Sequence, residues 1–156
     1  MPDEEKLSSY LSKSKLISNS NYAKKIRISI LGGFTLNGLE ETMRVKCDEK
    51  KIQCTTYVSG YNQYNQEILD EKSQLYEFSP DITFLIIDTR NVLGELFLNP
   101  YSVSVEERKR FIQNKSDEII NLVKALVKKS KSKLVLSNFS IPSYSPIGIS
   151  ETREEF

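Results

Sequence analysis

A chain of 156 residues is the length of one ordinary domain and can bury a core of its own. Its 22 Lys and Arg residues stand against 21 Asp and Glu, both signs mixed along the chain. The net charge of +1 therefore gives no field that favours nucleic acid or an anionic membrane. Histidine is absent, which excludes Ser-His and Cys-His catalysis within these residues and removes the commonest zinc ligand.

The acidic start, Met1-Pro2-Asp3-Glu4-Glu5-Lys6, lacks the apolar centre of a signal peptide, and no apolar run approaches the ~20 residues of a membrane helix. The expected location is cytoplasmic. Residues 1–22 read as an extension in which Leu7, Tyr10, Leu11 and Leu16 make a short amphipathic helix, broken at Ser18-Asn19-Ser20-Asn21. Ile26 to Leu31 is a strand rich in β-branched residues that ends at Gly32-Gly33. Leu36, Leu39, Met43 and Cys47 recur at helical spacing, and Asn37 with Glu40 resembles a capping box. Ile52 to Val58 is a second strand, followed by a loop and a short helix near Gln66 to Asp70.

Ile82 to Ile87 is the most apolar run, as a central parallel strand covered on both faces would be. Ser104 with Glu107 forms a capping box, after which Phe111, Ile112, Ile119, Leu122, Val123 and Leu126 trace one face of a helix reaching Lys129. Lys133 to Ser137 is the fourth strand. Alternating strands and helices predict right-handed βαβ units and a three-layer α/β/α sandwich on a parallel sheet over residues 23–142. After Pro142 the chain is Ser- and Pro-rich, then charged, so 143–156 reads as a flexible tail. Four strands alone leave an apolar edge, so the domain is expected to be truncated before its last strand or completed by another molecule, a homodimer included. Cys47 falls on a helix and Cys54 on a strand, where both are expected to act as small apolar residues.

Ligands of parallel sheets bind at the carboxyl ends of the strands. Those ends are Gly32-Gly33-Phe34-Thr35, Ser59-Gly60-Tyr61-Asn62-Gln63, Asp88-Thr89-Arg90 and Ser137-Asn138-Phe139-Ser140. The candidate ligand-binding residues are Gly33, Phe34, Thr35, Gly60, Asn62, Gln63, Asp88, Arg90 and Asn138. Arg90 could hold a phosphate or carboxylate; the plainer alternative has Asp88 capping a turn and Arg90 in an internal ion pair. Tyr61, Asn62, Gln63, Tyr64 and Gln66 either line a pocket or pack over the sheet end. The glycines serve tight turns, and no nucleotide-type glycine loop is present. Lys124, Lys128, Lys129 and Lys131 form a basic patch that either answers the helix dipole or docks an acidic partner.

The Phe34-Thr35 turn, the stretch from Gly60 through Gln66-Glu67-Ile68-Leu69, Asp70…Ser73…Leu75, Pro80-Asp81 and Asp88-Thr89-Arg90 together resemble the N-terminal domain of FkbH-like proteins. These are class IIIC HAD-superfamily phosphatase/glyceryltransferases of polyketide pathways. The resemblance covers residues 25 to 142. It implies a parent that takes a glyceryl unit from 1,3-bisphosphoglycerate and loads it on an acyl carrier protein. That chemistry belongs to a later HAD domain with a DxDxT motif and Mg2+. No DxDxT occurs here, so the resemblance implies no catalytic residue, metal or cofactor in this chain. Its implied partners are an acyl carrier protein and the C-terminal catalytic domain.

The same domain resembles an SGNH hydrolase, a flavodoxin-like fold with a Gly-Asp-Ser turn, a Gly-x-Asn-Asp block and a late Asp-x-x-His. Here Phe34 replaces the nucleophilic serine, Arg90 stands for the oxyanion asparagine, and Asp-x-x-His is missing. The expected function is thus a non-catalytic domain of a glyceryltransferase/phosphatase. The alternatives are a divergent SGNH-like esterase or acyltransferase using Thr35, with its Asp-His segment beyond Phe156, and a self-associating assembly module.

Overall fold

A computed structural model describes residues 6–17 and 22–140. Four parallel strands, β1 (Lys24–Gly32), β2 (Ile52–Val58), β3 (Ile82–Ile86) and β4 (Lys133–Leu136), form one sheet in the order β2-β1-β3-β4. The helices are α1 (Leu7–Leu16), α2 (Leu39–Glu49), α3 (Tyr64–Leu69), α4 (Gln74–Phe78), α5 (Thr89–Leu93) and α6 (Val105–Lys129). Two short 3-10 turns lie between α5 and α6. The α/β sandwich expected from the periodicities is the architecture found. The tail expected at 143–156 lies outside the described residues.

Alternation along the strands sorts the two faces. Ser29, Leu31, Tyr57, Thr83, Leu85 and Leu134 share one face, where Leu31, Leu85 and Ile87 pack with Tyr64 and Ile68 of α3, Leu75 of α4 and Leu126 of α6. Ile26, Ile28, Ile30, Cys54, Thr56 and Val58 share the other, against which α2 lies and bonds: Thr56 Oγ1 donates to Glu40 Oε1 at 2.6 Å. The first face also buries a hydroxyl relay, Ser29 to Thr83 at 2.8 Å and Thr83 to Ser132 at 2.8 Å. Each of these polar groups has a partner, so their burial carries no unpaired-donor penalty.

Three local readings differ from the structure. Asn37 does not cap α2; Gly38 does, in the left-handed region at φ +82, which only glycine adopts without strain. That leaves Glu40 free for Thr56. In α1 the leucines are not the buried stripe: Leu7, Leu11 and Leu16 stay exposed while Ser14 is buried, its hydroxyl satisfied by Leu11 O at 3.0 Å. The loop after β2 holds two helices rather than one. By contrast, the box at α6 forms as expected, Ser104 Oγ accepting from Glu107 N at 3.2 Å and Glu107 Oε2 accepting from Ser104 N at 2.9 Å. Hydrogen bonding to Ser104 holds the Glu107 carboxyl below its usual value. The two thiols are free and only half-buried, and desolvation followed by the neighbouring Cys47 pushes Cys54 up to about 12.

Candidate functional site

The carboxyl rim of the sheet divides into a groove and a closed knot. The groove, about 490 Å³, runs between α1 and the ends of β1 and β2. Leu7, Leu11, Phe34, Leu36, Val58 and Tyr61 give it apolar walls, and Thr35, Ser59, Glu40 and Glu41 supply the polar groups. The Ser59 hydroxyl is buried without a hydrogen-bond partner. Glu40 and Glu41 make the groove unfavourable for phosphate or carboxylate.

The knot joins the ends of β1 and β3. Gly33 N donates to Ile86 O at 3.0 Å, and the Asn91 side-chain amide donates to Gly33 O. A Cβ on Gly33 would stand 3.3 Å from both Asn91 Nδ2 and the Asp88 backbone nitrogen, a tight contact that a side chain there could make only by pushing its neighbours back slightly. Asp88 accepts from Asn91 N at 3.3 Å and so caps α5. This is the plainer reading of Asp88.

The predicted site residues therefore part company. Phe34 and Thr35 line the groove, whereas Gly33 and Asp88 belong to the knot. Gly60, Asn62 and Gln63 make the turn into α3: Gln63 N donates to Gly60 O at 3.2 Å, Asn62 sits at φ +54, and the Gln63 side chain folds over Gly60. Tyr64 is a core residue. Arg90 points its guanidinium over the Phe97 ring at 5.2 Å, a cation–π contact where an ion pair or a bound anion was expected. Asn138 is exposed beside the bond from Thr89 Oγ1 to Ser140 O, 2.9 Å. Asn91 was missed: one place beyond Arg90, it reaches the β1 turn that the hydrolase comparison assigned to Arg90.

Two residues of the most family-like segments are structural. Glu67 Oε2 accepts from Leu75 N at 3.0 Å, its backbone carbonyl accepts from Ser73 Oγ at 2.7 Å, and the Tyr57 hydroxyl bonds its carboxylate. Desolvation first, then this bond, raises the Tyr57 pKa. Asp81 lies at the opposite, amino end of the sheet, accepting from Arg27 N at 2.8 Å and, through its carbonyl, from Lys133 N at 2.9 Å. The lysines sit at that same amino end. Lys129 is committed, donating to Leu69 O at 2.8 Å and pairing with Glu71 at 3.4 Å, which leaves Lys124, Lys128 and Lys131 exposed. No group of three or more potential metal ligands and no helix able to cross a membrane occurs among the described residues.

The family described as FkbH, N-terminal domain, matches residues 27–142, most of the chain. The chain belongs to that family. Its fold is also that of a solved structure, the N-terminal part of the protein BF1531 from Bacteroides fragilis, which contains a phosphatase domain complexed with Mg. The two share 17% identity at a TM-score of 0.74, over 96% of this chain and 37% of that one. This FkbH-type domain thus spans well under half of the length of its structural neighbour. A comparison with curated proteins finds no significant match.

Proposed function

We propose that this chain is a non-catalytic FkbH-type domain that positions an acyl carrier protein for a glyceryltransferase/phosphatase domain, within polyketide-type biosynthesis in the cytoplasm. The observation that carries the reading is the β1 turn. Phe34, at the place of a hydrolase nucleophile, lines an apolar groove, and the Asn91 amide that would serve an oxyanion is engaged by the Gly33 carbonyl. Thr35 shares the groove with Glu40, whose carboxylate already accepts from Thr56, and no histidine is available as base. Mg2+ and the phosphoryl chemistry belong, in this reading, to the separate HAD domain.

Lys124, Lys128 and Lys131 form the docking surface, at the end of the sheet away from the groove. A carrier bound there through an acidic helix would direct its prosthetic arm to the neighbouring domain rather than into this one. Calorimetry with an acidic holo acyl carrier protein tests this. The expected result is micromolar binding, weakened by salt and lost in the triple variant Lys124→Glu, Lys128→Glu, Lys131→Glu. Binding that ignores both salt and the triple variant would overturn the docking surface. Hydrolysis of p-nitrophenyl acetate that disappears in Thr35→Ala would instead establish the esterase alternative.

A further inference from the structure

Cys47 of α2 and Cys54 of β2 were expected to be two small apolar residues, and the fold makes them a pair. Glu40 and Cys47 stand two turns apart on α2 and so share a face of the helix. Cys54 and Thr56, alternate residues of β2, share a face of the strand. The bond from Thr56 Oγ1 to Glu40 Oε1, 2.6 Å, fixes one end of this helix–strand contact. The tight return of the chain fixes the other: Lys50 N donates to Cys47 O at 3.0 Å and Lys51 N to Asp48 O at 2.8 Å, just before β2 begins at Ile52. Helix and strand therefore run antiparallel, and Cys47 comes to rest beside Cys54, near enough for the Cys54 thiol to donate a hydrogen bond to the Cys47 sulfur. Both thiols are free and half-buried, so neither is sealed in the core. A cavity of about 330 Å³ along β2 gives access to Cys54, and Glu40, Arg44 and Asp48 of α2 line it as well. Among the described residues β2 is an edge strand, with β1 as its one neighbour in the sheet.

We propose that Cys47 and Cys54 form a reversible modification site, a dithiol that reacts with low-molecular-weight disulfides and closes to an intramolecular disulfide between α2 and β2. The Cys47 thiolate attacks one sulfur of the incoming R–S–S–R, forming a Cys47–S–S–R bond and releasing RS⁻. Cys54 then gives its proton to solvent and attacks the Cys47 sulfur, which forms the Cys47–Cys54 bond and expels the second RS⁻. The two protein thiols lose two electrons and two protons, and one small disulfide is reduced to two thiols. The order of the steps follows from the surroundings. Burial first, then the charge of Cys47 and the hydrogen bond to its sulfur, keep the Cys54 proton in place, so Cys47 is the sulfur that attacks. Once Cys47 is capped, its charge no longer opposes ionisation of Cys54, and the Arg44 guanidinium favours the Cys54 thiolate.

The dithiol lies on the face of the sheet opposite α6, and its test contains no carrier protein, so this proposal and the docking surface can fail separately. The native chain is incubated with oxidised glutathione, quenched in acid and weighed by mass spectrometry. The expected product is a monomer lighter by two hydrogens, with a peptide map that joins Cys47 to Cys54, and dithiothreitol restores the parent mass. Cys54→Ser should stop at the glutathione adduct on Cys47, and Cys47→Ser should form its adduct at least about tenfold more slowly. At equal ratios of oxidised to reduced glutathione, the folded chain should hold at least about tenfold more disulfide than the chain in denaturing urea, which separates placement by the fold from nearness in sequence. A chain that stays reduced, collects an adduct on each thiol, links only to other chains, or closes equally well in urea would overturn the proposal.

Discussion

Replacing Glu67 by alanine removes one carboxylate from three elements at once. Its Oε2 accepts the Leu75 N–H in the first turn of α4, and the Tyr57 hydroxyl of β2 bonds the same group, while Glu67 itself lies in α3. Hydrogen bonds to a charged group are worth ~1.5–3 kcal/mol each, but the Leu75 N–H and the Tyr57 hydroxyl regain part of that from water in the variant. Since Glu67 is half-buried, a net loss of about 2–3 kcal/mol follows. For a domain of this size that lowers Tm by roughly 4–12 °C. Glu67→Gln keeps an acceptor for Leu75 and a donor for the Tyr57 oxygen, so its loss should be about 1 kcal/mol. Differential scanning calorimetry at pH 7 distinguishes the three proteins. A Glu67→Ala protein melting within about a degree of the parent would refute the clamp and return Glu67 to the candidates for chemistry.

Gly38→Ala should destabilise by about 1–2 kcal/mol, because φ +82 disfavours a side chain and the new Cβ collides with Leu7 of α1. Gly60→Ala, where only the movable Gln63 side chain intervenes, should melt near the parent temperature, and limited proteolysis within α1 should separate the two variants. Cys54, held up to about 12, should alkylate with iodoacetamide at pH 8 at least about a hundredfold more slowly than an unburied thiol. The native chain keeps that proton where the unfolded chain releases it, so folding stability should fall as pH rises from about 8.5 towards about 12, as read by urea melts across that range. Glu107 works in the opposite sense. Its lowered pKa adds stability that is complete above about 4.3 and lost as pH falls through the folded value, so the protection against amide exchange in the first turn of α6, relative to the unfolded chain, should fall in acid; Glu107→Gln should abolish that pH dependence, whereas Ser104→Ala, which keeps the larger bond from Ser104 N, should only reduce it.

Strands and the long helix were legible because each is written in local period. Ile52–Val58 was found to the residue, and Ser104 and Glu107 announce the start of α6 within four positions. The short helices α4 and α5 were not legible, since five residues carry too little periodicity to distinguish a turn of helix from loop. The candidate site was legible only as a set of strand ends. Which of those ends meet depends on side chains far apart in the chain: Asn91 on Gly33, and Leu7 and Leu11 lining one groove with Phe34 and Tyr61.

Sequence alone determined the α/β class, the parallel sheet, the family resemblance and the lack of a histidine base, because these rest on composition, period and motif spacing. Only the tertiary structure decided that Glu67 and Asp81 are clamps, that Arg90 is turned onto a ring, and that the lysines and the groove occupy opposite ends of the sheet. A side chain's role follows from the partners that packing brings within bonding distance, and most of those partners here lie tens of residues away.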